Sequence, residues 1–249
     1  LAGNTGANAS LGAITVDSTN PAAPTVTALT TNDTTPTLTG TVTLGSGESL
    51  SVTVDGTTYT TSNGLSVTGG NWSLTIPTAL AEGTYAVTAT VTDTAGNATS
   101  DSTTNELVID TTAPAAPTVN ALTTNDTTPT LTGTVTLGSG ETLSVTVDGT
   151  TYTTANGLSV TGGNWSLTIP SALAENTYAV TATVTDTATN STSDSTTNEL
   201  VVDTTAPAAP GATLASDTGS SGSDSVTNTG TVNVTGIESG ATWQYSTNG

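Results

Sequence analysis

The sequence predicts an all-β chain made of tandem, nearly identical β-sandwiches. Residues 21–113 (repeat 1) and 114–206 (repeat 2) align without gaps and differ at eight of 93 positions. Within a repeat, apolar and polar residues alternate with a period of two, which is typical of strands with one buried and one solvated face. A unit of 93 residues is too long for a helical solenoid repeat of ~20–50 residues. It is the size of one sandwich.

The strands of repeat 1 are predicted from runs of alternating residues that turn sequences separate. The turn sequences are NDTTP, GSGE, DG, GGN, AEG and TAGN. Asp55-Gly56 and its copy Asp148-Gly149 are predicted to form two-residue hairpin turns. No helix is expected beyond a turn near 77–82. The predicted strands are A at 24–29, B at 37–43, C at 49–54, one or two short strands across 57–68, E at 72–76, F at 84–92 and G at 105–110.

This strand order predicts an immunoglobulin-like Greek-key sandwich, with the repeats arranged end to end. Tyr85 opens strand F, where such domains carry a tyrosine corner. Trp72 lies on strand E rather than C, and the chain has no Cys, so an antibody-type Cys–Trp–Cys core is not expected. Residues 1–20 are interpreted as the end of a preceding Ig-like domain and 207–249 as the start of a divergent third one. We therefore expect the chain to be a fragment of a longer protein.

The charge of the chain restricts its partners. Twenty acidic residues and no Lys, Arg or His give a formal net charge of −20. Side chains alone cannot form a salt bridge, so each carboxylate must be solvated, hydrogen-bonded, protonated or bound to an external cation. The negative field repels nucleic acid and anionic membrane surfaces. No apolar run approaches the ~18 residues of a membrane helix, so neither nucleic-acid binding nor membrane insertion is expected of this segment.

Carboxylates recur at the expected junctions between domains. Asp17, Asp110 and Asp203 are spaced 93 residues apart, each ahead of a proline-rich linker. In a seven-strand sandwich the linker, the B–C loop and the F–G loop share one end, and the A–B loop, the E–F loop and the exit of strand G share the other. Each junction should therefore collect acidic side chains from two domains. The predicted sets are Asp110, Glu141, Asp186 and Asp33 between the repeats, Asp17, Glu48 and Asp93 one repeat earlier, and Asp203, Glu238 and Asp126 one repeat later.

Calcium is the cation that these sets predict. Ca²⁺ takes 6–8 oxygen ligands at ~2.3–2.6 Å, whereas zinc and copper favour the His and Cys ligands that this chain lacks. The alternative is turn chemistry, in which each Asp side chain accepts a hydrogen bond from the backbone two residues on. The remaining carboxylates, including Glu82, Asp101 and Glu106, are interpreted as solvated surface.

Several motifs together resemble a known family. VDTTAPAAP linkers, TNDTTPTLTGTV, GNWSLTIP and GTYAVTATVTDTAGN resemble the bacterial Ig-like repeats of giant, type I-secreted RTX adhesins of biofilms. The resemblance covers the whole chain. It implies an extracellular extender at the bacterial cell surface, a rod that projects a distal adhesive region for cell adhesion. It also implies Ca²⁺ at or near the domain junctions and neighbouring Ig-like domains as partners.

The residue types argue against catalysis. No Ser has a His or Lys to activate it, because the chain lacks both. A glycosidase-like carboxylate pair would be duplicated in every repeat, so we predict that the chain is not an enzyme. Two classes remain, a structural spacer and a glycan- or protein-binding module; a subunit of an extracellular filament is a further alternative. The eight substitutions between repeats are mild and rebuild no loop, which favours the spacer and leaves lateral association open.

Overall fold

The computed structural model describes residues 15–246, and every regular element in that range is a β-strand. Repeat 1 contains β1 (Leu29–Thr31), β2 (Thr37–Thr41), β3 (Ser49–Val54), β4 (Thr57–Tyr59), β5 (Leu65–Thr68), β6 (Asn71–Thr75), β7 (Gly83–Tyr85), β8 (Val87–Thr92), β9 (Ala98–Ser100) and β10 (Leu107–Ile109). Repeat 2 contains β11 (Leu122–Thr124), β12 (Thr130–Thr134), β13 (Thr142–Val147), β14 (Thr150–Tyr152), β15 (Leu158–Thr161), β16 (Asn164–Thr168), β17 (Asn176–Tyr178), β18 (Val180–Thr185), β19 (Ser191–Ser193) and β20 (Leu200–Val202). The all-β prediction is confirmed.

Each repeat is a sandwich with the same strand order. In repeat 1 one sheet runs β2-β6-β5, the facing sheet runs β4-β3-β8-β9, and a third group runs β1-β10-β7. Repeat 2 has the equivalent orders β12-β16-β15, β14-β13-β18-β19 and β11-β20-β17. All pairings are antiparallel except β1 with β10 and β11 with β20. This is the immunoglobulin-like architecture that the sequence predicts.

The first strand lies differently from its prediction at 24–29. Thr25 N and Thr27 N donate to Thr41 O and Thr39 O, each at 2.9 Å, along the edge of β2. The chain then crosses over, and β1 pairs in parallel with β10. No regular ladder forms along residues 25–27, because Thr41 N donates to Thr25 Oγ1 at 3.0 Å and Thr25 O accepts from the Trp72 indole instead. The first strand therefore connects both sheets.

Each repeat has its own hydrophobic core, centred on a tryptophan. Trp72 is 1% exposed, and its Nε1 donates to Thr25 O at 2.9 Å. The indole crosses β2 at Gly40, where an added Cβ would collide with Thr25 O and with the indole itself. Only glycine allows this approach. Trp165 and Gly133 repeat the arrangement in repeat 2.

Strand G is interrupted, which the prediction of one strand at 105–110 missed. β9 pairs with β8, β10 pairs with β7, and residues 101–106 leave the sheet between them. The excursion leaves two backbone donors of strand F without a backbone partner, and buried donors must be paired. Ala89 N donates to Asp101 Oδ1 at 2.8 Å, and Val87 N donates to Glu106 Oε2 at 2.9 Å. Glu106 is only 5% exposed, so its interpretation as solvated surface is wrong.

Two local predictions are confirmed. Asp55 and Gly56 both have positive φ, 46° and 72°, as a type I′ turn between β3 and β4 requires. The Tyr85 hydroxyl donates to Ala81 O at 2.9 Å, which is the bond of a tyrosine corner.

The C-terminal segment differs from the repeats. Gly211–Leu214 (β21) and Val232–Thr235 (β22) form a two-stranded antiparallel sheet. No side chain in residues 207–246 is buried, and Trp243 is 46% exposed. Of the predicted preceding domain at 1–20, residues 1–14 lie outside the described range. A helix able to cross a membrane is not found in residues 15–246.

The F–G loops of the two repeats carry different residues at one position with positive φ. Replacing Thr189 there with glycine, as in repeat 1, should stabilise repeat 2. Thr189 has φ 73°, where repeat 1 has Gly96 at φ 92°. A β-branched residue in the left-handed region destabilises the fold by about 1–2 kcal/mol. Glycine removes that strain, but the greater freedom of its unfolded chain offsets about 0.5–1 kcal/mol of the gain. We expect Thr189→Gly to raise the unfolding free energy of repeat 2 by about 0.5–1 kcal/mol in urea denaturation. Gly96→Thr should lower that of repeat 1; a loss of stability in Thr189→Gly would contradict the argument.

Candidate functional site

The junction between the repeats brings together the loops that the topology predicts. Asn190 Nδ2, in the F–G loop of repeat 2, donates to Asp110 O of the linker at 2.8 Å. Asn97 Nδ2 makes the same bond to Asp17 O at 3.2 Å. Asn32 N, in the A–B loop of repeat 1, donates to Ala188 O in the F–G loop of repeat 2 at 3.1 Å. The linker at Asp110 and the A–B loop at Asn32 form the C-terminal, or trailing, end of repeat 1. They contact the F–G loop, residues 186–190, at the N-terminal, or leading, end of repeat 2.

The F–G aspartates close their own loops. Asp186 accepts from Asn190 N through Oδ1 and from Asn190 Nδ2 through Oδ2, both at 2.9 Å. Asp93 accepts from Asn97 in the same way, and also from Ala95 N. The Asn97 side chain, followed by the loop backbone, holds the pKa of Asp93 below its usual value. These carboxylates are engaged within their own loop.

The linker and A–B aspartates form turns of the kind that the alternative interpretation describes. In each, Oδ1 accepts from the backbone N–H two residues on, at 2.8–3.0 Å, in Asp17, Asp33, Asp110, Asp126 and Asp203. Asp110 thus offers its side chain to its own turn and its carbonyl to Asn190. The sequence pattern Asp-x-Thr suits both a turn and a cation ligand, and only the structure shows the turn.

The predicted glutamates lie apart from these bonds. Glu48 Oε2 accepts from Gly45 N at 2.6 Å, and Glu141 Oε2 accepts from Gly138 N at 2.7 Å, so each closes its own B–C loop. Glu238 is exposed, in a turn where Ala241 N donates to Glu238 O at 3.1 Å. The B–C and F–G loops are nevertheless neighbours, because the Thr94 methyl group packs against Gly47.

The predicted junction residues contribute carbonyl and amide groups as well as carboxylates. In residues 15–246 no three acidic side chains lie close enough together to hold a metal ion. The space between Asp186 Oδ2 and Asp110 O is bridged by the Asn190 amide nitrogen, within 2.9 Å of both. The residues therefore do not fit a three-carboxylate calcium site, and calcium binding stays a prediction.

Sequence reasoning missed the hydrogen bonds that Glu82 and Glu175 accept at the trailing ends of the repeats. The hydroxyls of Thr111 and Thr112 donate to Glu82 at 2.8 and 2.9 Å, and hold its pKa below the ordinary value. Glu175 has the same partners in Thr204 and Thr205. Because the pKa is lowered on folding, this stabilisation is complete above the ordinary Glu pKa and is lost as the pH falls through the lowered one. The 29-residue separation of Glu82 and Thr111 gave no sequence signal.

The family model of the bacterial Ig-like domain matches residues 13–111 and 118–204. The chain belongs to the bacterial Ig-like domain family. The two matches cover most of the two Ig-like repeats, and each includes the F–G loop and the tryptophan core described above. No curated protein matches the chain.

Several solved structures are similar to the chain at low identity. The titin domains Z1Z2 in complex with telethonin share 21% identity, with 74% of this chain and 98% of that chain covered and a TM-score of 0.28. The titin I-band fragment I67–I69 shares 14% identity, with 72% and 64% covered and a TM-score of 0.41. The Bacteroides ovatus mixed-linkage glucan utilization protein SGBP-B, in complex with a heptasaccharide, shares 18%, with 74% and 46% covered and a TM-score of 0.27. These similarities carry no information on function.

Proposed function

We propose that the chain is a structural spacer, an extender segment that carries an adhesive region away from a bacterial cell surface. The observation that carries the proposal is the direct contact between the trailing end of repeat 1 and the leading end of repeat 2. Repeat 2 presents nearly the same trailing sequence as repeat 1, so the same junction can recur along a chain. The setting, an extracellular RTX adhesin that type I secretion exports for biofilm formation, rests on the resemblance of the linkers and motifs.

The sides of the repeats support a spacer. Hydroxyls on neighbouring strands pair with each other, as Thr25 with Thr41 at 2.7 Å and Thr37 with Thr75 at 2.8 Å. Such faces remain hydrated without carrying charge, while the carboxylates lie mainly in the turns at the domain ends. A net negative charge keeps neighbouring chains apart and in solution. We propose no enzymatic activity, since no serine of the chain has a basic residue to activate it.

A glycan-binding module is the second candidate, because one cavity recurs in both repeats. It measures about 360 Å³ in repeat 1, beside Asp55, Tyr59 and Pro77, and about 320 Å³ in repeat 2. Carboxylates and aromatic rings are groups that contact sugars. Tyr59 is only 9% exposed, however, so little of its ring is open for stacking. This favours the spacer, and binding of the chain to a glycan array would favour the module.

Calcium is a separate proposal that the spacer function does not require. The resemblance implies it, at or near the domain junctions; Asp110 O and Asp186 Oδ2 already accept from the Asn190 amide and give it no further support. No structural step is assigned to the ion, because the acidic side chains form no three-carboxylate site in the part of the chain that the structure describes.

Small-angle X-ray scattering of the whole chain, in a chelator and in calcium, tests both proposals. The extended run of β7 and β8 over residues 83–92, with loops at both ends, gives roughly 40 Å per repeat. We therefore expect an elongated particle in which the two repeats span about 80 Å. A compact, folded-back particle in both solutions would contradict the spacer. Thermal unfolding in the same two solutions tests the calcium proposal by itself, because a ligand that binds only the folded state raises the melting temperature. If calcium leaves the melting temperature unchanged, the calcium proposal fails and the spacer proposal is unaffected.

A further inference from the structure

The F–G loop of repeat 2, residues 186–190, holds repeat 1 at two separate places. Asn190 Nδ2 donates to Asp110 O, where the chain leaves strand G of repeat 1. Ala188 O accepts from Asn32 N, which lies in the A–B loop of repeat 1. One bond alone would fix a distance. Two bonds at different loops also restrict the rotation of one repeat about the other.

Burial of one alanine shows that a surface is covered at this junction. Ala188 is 0% exposed, whereas Ala95, the same residue in the F–G loop of repeat 1, is exposed. The two loops differ within residues 93–97 only by Gly96, which is Thr189 in repeat 2. The repeat's own fold therefore leaves this alanine open, and it is the trailing end of repeat 1 that covers Ala188.

The side-chain amide is the group that the oxygens of the junction require. Asn190 Nδ2 has two donors, and both are used, one on Asp186 Oδ2 at 2.9 Å and one on Asp110 O at 2.8 Å. An oxygen in its place would face two acceptors and no donor. The chain has no Lys, Arg or His side chain to pair with these oxygens. The Asn190 amide satisfies them without a cation from solution.

We propose that the F–G loop of each repeat is a docking surface for the trailing end of an identical Ig-like repeat, and that the asparagine amide fixes the docked geometry without a bound cation. The partner is defined by two backbone groups, an N–H at the position of Asn32 and a carbonyl at that of Asp110. Asn125 and Asp203 occupy these positions in repeat 2. The contact is head to tail, so it can continue from one repeat to the next. This inference rests on the proposed spacer function.

Spin labels on the whole chain test the inference by electron–electron distance measurement. The chain has no Cys, so Ser62→Cys and Ala155→Cys give one label in each repeat. Both positions are exposed, and their natural difference shows that the site tolerates change. In a chelator we expect a narrow distance distribution. Asn190→Ala should make it about twofold wider, because domains move freely when their interface is weak. Asn97→Ala is the matched control and should leave it unchanged.

A second variant covers the case in which Asn190→Ala disturbs the loop itself. Ala188→Leu should push repeat 1 away and widen the distribution, while Ala95→Leu, in the exposed copy of the loop, should not. The proposal is overturned if the parent is broad in a chelator and narrows only in calcium, or if Asn190→Ala and Ala188→Leu both leave the width unchanged. In either case an elongated particle in scattering would retain the spacer function, whereas a folded-back one would remove it.

Discussion

Gly40→Ala is expected to unfold repeat 1 under conditions in which repeat 2 stays folded. The added methyl group would clash with Thr25 O and with the Trp72 indole, so the backbone of the first strand or the ring must shift. Trp72 is 1% exposed and bonded to Thr25 O, so moving the ring also breaks that bond and loosens the first strand. Overpacking a core costs about 1–3 kcal/mol and sometimes more. With the lost hydrogen bond, we expect a loss of about 3 kcal/mol.

Differential scanning calorimetry of the whole chain would show this loss directly. The parent repeats differ at eight positions, so their transitions should nearly coincide. In Gly40→Ala the transition of repeat 1 should separate and move to lower temperature, and Gly133→Ala should do the same for repeat 2. Ser62→Ala is a control that introduces alanine without adding bulk. Repeat 2 already has alanine at the equivalent position, Ala155. Coincident transitions in Gly40→Ala would show that the indole can yield.

Glu106→Ala is expected to destabilise repeat 1, whereas Glu106→Gln is expected to be neutral or stabilising. Glu106→Ala leaves Val87 N–H buried without its acceptor, which costs about 1–3 kcal/mol, and adds a small cavity. Glu106→Gln keeps an oxygen for Val87 N–H. It also replaces Oε1, a buried oxygen for which the residues that the structure describes provide no hydrogen-bond partner. Because burying unpaired charge is unfavourable, we expect glutamine to be neutral or stabilising.

Urea denaturation of both variants, with Glu199→Ala and Glu199→Gln as the equivalent changes in repeat 2, would separate the two effects. Alanine should lower the unfolding free energy of its repeat by about 2–3 kcal/mol. If glutamine lowers it as much, an amide nitrogen does not suit the place of Oε1, and an acceptor oxygen is needed there. A donor or cation from solution would then have to pair with that oxygen.

The sheets were predictable from the sequence because burial of alternate residues is a local property. Leu50, Val52 and Val54 all point into the core, and β3 has the predicted bounds. The excursion in strand G was not predictable. Glu106 looks like any surface glutamate in sequence, and its burial depends on the unpaired donor of Val87, 19 residues away.

The meeting of the linker and the loops at the junction was predictable from strand order, whereas the hydrogen-bond partner of each side chain was not. Loop positions follow from strand order, so the meeting of the Asp110 linker with the Asp186 loop was foreseeable. Side-chain direction was not, because an aspartate in a turn and an aspartate on a cation have the same sequence context. The bond from Asn190 joins residues 80 positions apart, and no pattern within either segment indicates it.

The parallel pairing of β1 with β10 has a mechanical consequence. The chain enters each repeat along the edge of β2 at Thr25 and Thr27, continues into β1 and leaves just after β10, so a force on the two ends pulls β1 and β10 in opposite directions. Leu29 N donates to Glu106 O at 2.7 Å and Asp110 N donates to Thr31 O at 3.0 Å, one at each end of the pair. Such bonds lie across the direction of pull and are loaded together, in shear, rather than opened one after another. In a chain of repeats in series, every domain under tension would meet that load with the same pair of strands.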